Sequence, residues 1–501
     1  MTKTRNAPPR AGALLESMRG LGYTTGSALA DIVDNSISAG ASQVDIQFTW
    51  SGTSSWISVM DDGQGMTDGE LESAMRLGDK NPLVTRASSD LGRFGMGLKT
   101  ASLSQCRRLT VASSKNSSTS CLRWDLDALA DAPDAGWLLF EGPADGSESL
   151  LAGLAESKPG TLVLWEKLDR IVTTGFTLDD FNQLIDRVEA HLAMVFHRLL
   201  EGNAPTFSLR INGRAVRPWD PFLTGHPAKA WASPVARTAT QAGEITVECH
   251  VLPYKDRLTS KEFELAAGPG GWNAQQGFYV YRNRRLLVAG GWLGLGTGKG
   301  WTREESLRLA RIRLDIPNTA DADWKIDIRK STARPPVSLR PWLTRLAEDT
   351  RDRARKVFVH RGSPGTLPGD KPIGQAWRSE HLKDGVRYRI DLDHPAITSV
   401  LDRSGELLPA IKAMLSVIEA TVPVQRIWLD TAEHKAPPKN RYDGVPSAEI
   451  QEVMETLFED MVGRRGMSEE SAKRMLMATD PFQNFPAMVN ALGATGPGQH
   501  M

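Results

Sequence analysis

The chain has 501 residues, 40% of them hydrophobic and 24% charged, which is enough for two to four globular domains that each bury a core. Its 60 basic and 60 acidic residues cancel, which excludes a global charge that would draw the protein onto nucleic acid or an anionic membrane. Three widely spaced cysteines argue against a disulfide framework, and without an apolar signal core or a bilayer-length apolar segment we expect a cytoplasmic protein with no membrane span.

The first strong pattern is the amphipathic stretch "ALADIVDNSISAGAS", residues 28–42, which predicts a helix. Its apolar residues fall on one side, whereas Asp31, Asp34, Asn35 and Ser38 fall on the other. Asp31 and Asn35 are one helical turn apart, so both can contact the same object. The helix alone leaves two interpretations open, a solvated polar face and a ligand site.

The text after this helix alternates between strands and glycine-rich loops. "QVDIQF" and "WISVM" predict an antiparallel hairpin, which is followed by the loop "DDGQGM", a short helix at 69–77 and the loop-to-helix segment "LGRFGMGLKTASLSQC". Further strands are expected at "RLTVAS", "CLRWDL" and "GTLVLWEKL". Because few helical crossovers separate these strands, we predict a mostly antiparallel or mixed sheet.

The pattern restarts near residue 172, where we place a domain boundary. The expected organisation is a first domain at 1–172, a second at 173–359, a Gly- and Pro-rich linker at 360–372 and a mixed, then helical, C-terminal region at 373–501. The second domain begins with the helical text "LDDFNQLIDRVEAHLAMVFHRLLEG", and "WKIDI" is expected in one of its strands. The ending "GATGPGQHM" predicts disorder.

The loop "DDGQGM" places Asp61 directly after a buried strand, with Gly63 and Gly65 behind it. The glycines let the backbone turn tightly and let a flat ligand approach it. An ionised carboxylate only accepts hydrogen bonds and the exocyclic amino group of adenine only donates them, so this pair selects adenine. The alternative is an ordinary hairpin turn.

The segment "GRFGMGLKTAS" combines Gly92, Gly95 and Gly97 in a G-x-x-G-x-G loop that leads into a helix. Free backbone N–H groups and the positive end of a helix dipole favour phosphate at such a place, and Lys99 lies in the first helical turn. A flexible surface loop is the alternative interpretation.

These motifs occur in one fixed order: the acid-x-x-x-Asn helix, D-x-G-x-G, G-x-x-G-x-G, and "GT" at the start of a strand at Gly160. The order resembles the GHKL superfamily, the group of the gyrase B subunit, heat-shock chaperone, histidine kinase and MutL, over about residues 10–345. The resemblance implies an α+β chain whose first domain is a Bergerat-type ATP-binding sandwich, with a mixed sheet and helices on one face. It also implies a transducer-like domain after the first.

Carried over residue by residue, the resemblance implies ATP and Mg²⁺ as ligands. Asn35 would coordinate Mg²⁺, Asp61 would bind adenine with Thr161 behind it, and the base pocket would be shaped by Gly63, Gly65 and Met66. Residues 79–94 would form a lid over ATP. The phosphates would be wrapped by a loop and helix start made of Gly92, Phe94, Gly95, Met96, Gly97, Leu98 and Lys99.

Asp31 occupies the position where hydrolytic members carry a water-activating Glu. Asp is shorter than Glu by on the order of 1.5 Å, and a misplacement of roughly 1 Å can cost about a hundredfold in rate. We keep Asp31 as the predicted catalytic base. Asp34 is the alternative base, but it points about 100° away from Asn35 around the helix, so we expect it instead to form a cap, a salt bridge or an indirect contact.

In the second region, "INGRAV", "VYRNRRLL" and "WKIDI" resemble the transducer that sends a lysine to the γ-phosphate. We predict Lys325 for this catalytic role and Lys330 as the alternative, against the interpretation of a lysine on a solvated strand edge. Arg282, Arg284 and Arg285 form a basic run that suits either DNA phosphate or an exposed strand edge.

Within the superfamily, "ALADIVDNS", "AMRLGDKN" and "GRFGMGLKTAS" are most similar to the microrchidia (MORC) ATPases and their bacterial relatives. This similarity implies an ATP hydrolase that pairs into an ATP-dependent homodimer and acts as a clamp on DNA or a DNA-bound partner. It also implies partner proteins of a restriction–modification or anti-phage defence system. The alternatives are a heat-shock-type chaperone and a nucleotide-gated scaffold with negligible hydrolysis. Residues 373–501 match nothing that indicates a role.

Overall fold

The structure is a computed structural model that describes residues 5, 10–78, 97–131, 136–154, 158–202, 207–228, 230–296, 300–321, 323–327, 330–359, 374–382, 385–427 and 448–493. Internal contacts divide the chain into two compact units, Met1–Gly362 and Ser363–Met501. The expected linker at 360–372, the lid at 79–94 and most of the terminal segment lie outside the described residues.

The first unit begins with an eight-stranded sheet in the order β5-β4-β3-β6-β2-β1-β7-β8. Every pairing is antiparallel except that of β1 with β7, so the predicted mixed, mostly antiparallel sheet is confirmed. The strands are β1 Gln43–Thr49, β2 Trp56–Asp61, β3 Arg108–Lys115, β4 Ser118–Asp125, β5 Phe140–Glu141, β6 Gly160–Glu166, β7 Ser208–Ile211 and β8 Arg214–Ala215.

In the described part of the chain, seven helices accompany this sheet, and α2 contacts both α4 and α6. Gly26 in the first turn of α2 allows the close approach of α6, because a Cβ there would lie 3.1 Å from the ring of His191. The helices are α1 Ala11–Met18, α2 Thr25–Ser38, α3 Asp68–Met75, α4 Gly97–Leu103, α5 Leu126–Asp131, α6 Leu178–Val195 and α7 His197–Leu200.

The domain boundary expected near residue 172 stays a prediction. In the structure, β7 and β8 follow that residue in the chain and pair with the first sheet. The same apolar core contains side chains from α2, from β1 and from α6, such as Val33, Ile46 and Leu192. The first sheet is therefore completed by residues from both sides of residue 172.

The second sheet of this unit has six strands, in the order β10-β11-β14-β12-β13 with β9 beside β11. Its core includes Trp324 and Leu343. The strands are β9 Trp231–Ala232, β10 Ala236–Thr240, β11 Gly243–Val251, β12 Gly277–Arg282, β13 Arg285–Ala289 and β14 Ala310–Ile316. The helices with it are α8 Ser260–Ala267, α9 Gly271–Ala274 and α10 Arg340–Val359.

The prediction of a strand at "WKIDI" is wrong, because residues 323–325 form a turn. Lys325 has a left-handed backbone with φ of 48°. Trp324 and Ile326 are both buried, so the alternation of apolar and polar residues is real, yet a turn and not a strand places both apolar side chains in the core.

The second unit holds a two-stranded hairpin, β15 Trp377–Leu382 with β16 Gly385–Ile390, and a cluster of helices. Its apolar core comes from the last three helices and the segments between them, and includes Met454, Leu476 and Val489. The helices are α11 Pro395–Arg403, α12 Leu408–Ala420, α13 Ala448–Glu459, α14 Glu469–Met477 and α15 Pro486–Ala491. The predicted mixed, then helical, character of this region is confirmed.

Among the residues that the structure describes, no helix combines the length and apolarity needed to cross a membrane. Cys106, Cys121 and Cys249 all lie in described parts of the chain and are free thiols.

Candidate ATP site

Two of the four polar residues on this face of α2 are buried, and this decides between the two interpretations that the sequence leaves open. Thr24 caps the helix by accepting a hydrogen bond from the backbone N–H of Ser27, and the Ser27 hydroxyl accepts one from the backbone N–H of Thr24. Asp31 and Asp34 are only 3% and 1% exposed, whereas Asn35, one turn after Asp31, is exposed. Buried carboxylates need fixed partners, so a merely solvated face is excluded.

Asp31 is held by two groups from different parts of the first unit. The Tyr23 hydroxyl donates to Asp31 Oδ2 at 2.9 Å, and Lys330 Nζ donates to Asp31 Oδ1 at 2.9 Å. Burial, followed by the charge of Asp31, raises the pKa of Tyr23 far above its ordinary value, so the tyrosine stays a neutral donor. The orientation of the Asp31 carboxylate is therefore fixed from both oxygens.

Asp34 forms the other half of a buried ion cluster. Lys330 Nζ lies 2.5 Å from its Oδ2, and Arg285 Nε and Nη2 each lie 3.1 Å from the same oxygen. Burial alone would raise the pKa of Asp34, but the charges and hydrogen bonds of Arg285 and Lys330 outweigh it and hold the pKa below its usual range. The salt-bridge interpretation of Asp34 is confirmed.

The four groups balance in charge, because two carboxylates face one ammonium and one guanidinium. Arg285 comes from β13 of the second sheet and Lys330 from the segment between β14 and α10. The side chain of Lys330 is 10% exposed and that of Arg285 is 5% exposed. The cluster thus ties α2 to the second sheet through ion pairs that are shielded from salt.

Asp61 is the last residue of β2 and lies close to the C-terminal end of α2. The Ser36 hydroxyl donates to Asp61 Oδ2 at 2.7 Å, and the backbone N–H of Gly63 donates to Oδ1 at 3.0 Å. Burial raises the pKa of Asp61, and these hydrogen bonds only partly offset it. Each carboxylate oxygen keeps a lone pair for a further donor, such as an exocyclic amino group.

Thr161 lies directly opposite Asp61 in the pairing of β2 with β6. Its hydroxyl is 2.9 Å from the Ser113 hydroxyl, which also accepts from the backbone N–H of Met66 at 2.8 Å and bonds to the Gly160 carbonyl at 3.0 Å. This network fixes the loop after β2 against the sheet.

Gly65 is required by its surroundings. It has a φ of 65°, and a Cβ there would collide with the backbone carbonyl oxygen of Ser114. A Cβ at Gly63 would lie 3.0 Å from Asp61 Oδ1, tighter than normal contact. The loop therefore passes as close to the sheet as backbone atoms permit.

The predicted phosphate segment is only partly described, since Gly92, Phe94, Gly95 and Met96 lie outside the described residues. Helix α4 begins at Gly97, where a Cβ would lie 3.8 Å from Asp31 Oδ2, so the start of α4 and Asp31 are adjacent. Leu98 is half-buried.

Lys99 is buried and donates to the backbone carbonyls of Ala74 and Arg76, each at 2.8 Å. These carbonyls end α3, so Lys99 supplies donors and positive charge to a helix C-terminus.

The two lysines considered for the γ-phosphate occupy different environments. Lys325 is an exposed turn residue, whereas Lys330 reaches the buried carboxylates of α2. The basic run after β12 is also divided: Arg282 and Arg285 are buried, and exposed Arg284 donates to the carbonyl of Arg198. The prediction that all three arginines lie on an exposed strand edge is therefore wrong.

Some residues of the site carry no signal in the sequence that points to this role. Tyr23 and Ser113 have no distinctive spacing, and Arg285 is predicted only as part of the basic run. Ser36 could have been singled out, because it follows Asn35 directly and lies on the side of α2 that faces β2.

Part of the first unit is similar to a known family of ATPases. Residues 23–147 match the family model described as "Histidine kinase-, DNA gyrase B-, and HSP90-like ATPase". No curated protein matches the chain. The matched segment contains Asp31, Asn35 and Asp61, and it supports the GHKL superfamily of ATPases for this part of the protein. Lys330 and Thr161 lie beyond the match.

Proposed function

We propose that the first unit binds ATP with Mg²⁺ and hydrolyses it. The observation that carries this proposal is the arrangement around α2, which joins exposed Asn35 and buried Asp31 to the Ser36 hydroxyl that holds Asp61. One rigid helix thus connects an acceptor suited to adenine with a carboxylate suited to activating water.

The residues present fit these ligands. Asp61 would accept from the adenine amino group beside Thr161, in a loop that Gly65 allows to lie close against the sheet. Asn35 would supply an oxygen ligand to Mg²⁺, a cation that stabilises negative charge on phosphate oxygens. The start of α4 beside Asp31 suits the phosphate end of the nucleotide.

For hydrolysis, we assign Asp31 as the base that orients and deprotonates water, with Tyr23 fixing its orientation. We assign Lys330 rather than Lys325 as the lysine that stabilises charge on the γ-phosphate. The support is the 2.9 Å contact of Lys330 Nζ with Asp31, compared with the exposed position of Lys325.

A nucleotide-gated scaffold with negligible hydrolysis is the second candidate. It is favoured by the same Lys330–Asp31 contact, because both carboxylate oxygens of Asp31 already accept hydrogen bonds, from Lys330 and from Tyr23, that compete with a water molecule. In the hydrolase, Lys330 must move from Asp31 toward the γ-phosphate before Asp31 can accept a proton. Turnover measurements on Asp31 variants distinguish the two.

The direct test of the nucleotide site is ATP binding by Asp61→Asn, with Asp62→Asn as the matched control. Asp62 is the adjacent carboxylate, and it bonds to Ser42 and Gln43 on the surface. We expect Asp61→Asn to weaken ATP binding at least about 100-fold, because an Asn side chain cannot keep all of the acceptor bonds. The control should stay within about threefold of wild type, and equal binding by wild type and Asp61→Asn would refute the site.

At a finer level, we propose a MORC-like clamp that dimerises on ATP binding and acts on DNA or a DNA-bound partner in a defence system. The support is the similarity of its helix and glycine motifs to microrchidia ATPases; the divided arginine run adds none. DNA-stimulated ATP turnover, with an ATP-dependent rise in mass, is the expected result. Turnover that responds to an unfolded protein and not to DNA would favour the heat-shock-type chaperone instead.

A further inference from the structure

A buried histidine and two carboxylates meet in the first unit, away from the candidate ATP site. His197 lies in α7, Glu201 directly follows that helix, and Asp220 lies in the segment after β8. One ligand atom from each of these three side chains lies within 4.8 Å of the other two. No other group of three such side chains comes this close in the part of the chain that the structure describes.

His197 is held in an orientation that presents one ring nitrogen to the carboxylates. Its side chain is 2% exposed. Its Nε2 lies 2.7 Å from the hydroxyl of Tyr281 in β12, and its Nδ1 bonds to Glu201 one helical turn further on. A histidine that binds a metal nearly always has such a partner on its second ring nitrogen, because the partner sets the tautomer and the direction of the ring.

Asp220 is positioned by local hydrogen bonds. Its Oδ1 accepts from the backbone N–H of Phe222 at 2.8 Å, and its Oδ2 accepts from that of Thr224 at 2.6 Å. Each oxygen keeps a further lone pair. The carboxylate is therefore held in place, with little side-chain freedom left to lose when a ligand binds.

The charge of the two carboxylates is not balanced by a basic side chain. Among the described residues, Glu201 forms an ion pair with His197 alone, and Asp220 forms none. Arg198 lies over the ring of Tyr281, but its guanidinium group pairs with Asp315. Because two carboxylates this close repel each other, a cation between them would be strongly favoured.

We propose that His197, Glu201 and Asp220 bind one divalent transition-metal ion, for which Zn²⁺ is the best match. One imidazole nitrogen and two carboxylate oxygens are ligands that suit Zn²⁺, whereas Mg²⁺ takes oxygen ligands. The ion would replace the proton between Nδ1 and Glu201, and Nε2 would then donate to the Tyr281 hydroxyl. Glu201 is exposed, so water can complete the coordination from that side.

The ion would join the end of α7 to the segment after β8 and, through Tyr281, to the second sheet. It would bind only the folded arrangement, so free Zn²⁺ at about 100 times its Kd should shift the folding equilibrium about 100-fold toward the folded chain. This site is distinct from the Mg²⁺ site proposed at Asn35, and it does not rest on ATP binding.

The first test is a calorimetric titration of the untagged full chain with Zn²⁺, without nucleotide. Wild type and Asp61→Asn should bind one Zn²⁺ ion that Glu201→Gln/Asp220→Asn binds at least about 100-fold more weakly, because two of the three ligands are weakened. Both substitutions keep the shape of the side chain, so folding should survive. An unchanged thermal unfolding curve in the presence of EDTA checks this.

The matched control is Glu262→Gln. Glu262 also faces a histidine, with its Oε1 3.5 Å from His226 Nε2, but no third ligand of this kind joins that pair among the described residues. The control should bind Zn²⁺ as wild type does. A wild type that binds no Zn²⁺, or a double variant that binds it as tightly as wild type, would overturn the proposal.

Cobalt gives an independent readout, because the visible spectrum of Co²⁺ reports its coordination geometry. Wild type should develop the intense bands of Co²⁺ with few ligands, and the double variant should not. An excess of Mg²⁺ should leave these bands unchanged, since Mg²⁺ takes oxygen ligands. A wild-type spectrum identical to that of Co²⁺ in water would show that only a proton joins His197 to Glu201, and this too would refute the metal site.

Discussion

Lys330 Nζ lies between two buried carboxylates, and this position makes it the most informative single residue of the first unit. Lys330→Ala should remove the positive charge that stabilises negative charge on the γ-phosphate, and so lower ATP turnover about 100-fold or more. It should also destabilise the first unit by roughly 3 kcal/mol, because Asp31 would lose its only ion pair among the described residues. Phosphate release and urea unfolding measure the two effects.

Lys325→Ala is the matched control for that variant, since Lys325 is exposed in the same segment. It should change neither turnover nor stability by more than a small amount. If Lys325→Ala abolished turnover while Lys330→Ala retained it, the assignment of the γ-phosphate lysine would have to be reversed.

Asp34 should make the stability of the first unit sensitive to acid. Its folded pKa lies below its ordinary value of 3.8. The ionised carboxylate therefore contributes stability that is complete above that value and is lost as the pH falls through the folded pKa. In Asp34→Asn this contribution is absent, so urea unfolding at a series of pH values should show a lower stability at neutral pH and a flatter loss in acid.

Asp68→Asn is the control, because Asp68 is exposed. Its stability should depend on pH in the same way as that of wild type. The role of Asp34 would be contradicted if Asp34→Asn and wild type lost stability in parallel as the pH fell.

The close approach of the loop between β2 and α3 to the sheet can be tested with two glycine substitutions. Gly65→Ala should destabilise the protein by about 2 kcal/mol or more, because φ is positive and a Cβ would collide with the Ser114 carbonyl. Gly69→Ala, in the first turn of α3, meets nothing within 4 Å and should stabilise by roughly 0.5–1 kcal/mol. Thermal unfolding compares them, and equal effects would contradict the close approach of this loop.

Elements with strong local patterns were predictable from the sequence. Helix α2 and the β1–β2 hairpin follow from apolar periods of 3.6 and 2, and the register pairs Ile46 with Val59 as a hairpin requires. "WKIDI" shows where such reasoning ends, because two buried side chains with one exposed residue between them fit a turn as well as a strand.

Contacts between distant parts of the chain could not be predicted in the same way. The parallel pairing of β1 with β7 joins residues more than 160 positions apart, and no local signal encodes that register. Arg285 illustrates the effect on the site: from sequence it resembles a surface arginine, and only the fold brings it to Asp34. The motif residues of α2 and β2 could be found by their spacing, whereas Tyr23, Arg285 and the choice of Lys330 required the tertiary structure.

Across the whole molecule, steady-state ATP turnover by Asp31→Asn, measured beside equilibrium ATP binding, is the most direct test of the proposed hydrolase. Wild type should release phosphate in the presence of Mg²⁺. Asp31→Asn should bind ATP with an affinity within a few-fold of wild type. Its ATP turnover should be at least about 100-fold slower, because the Asn side chain keeps the shape of Asp31 but cannot accept the proton. Equal turnover by the two proteins, or a wild type that binds no ATP, would contradict the proposed site.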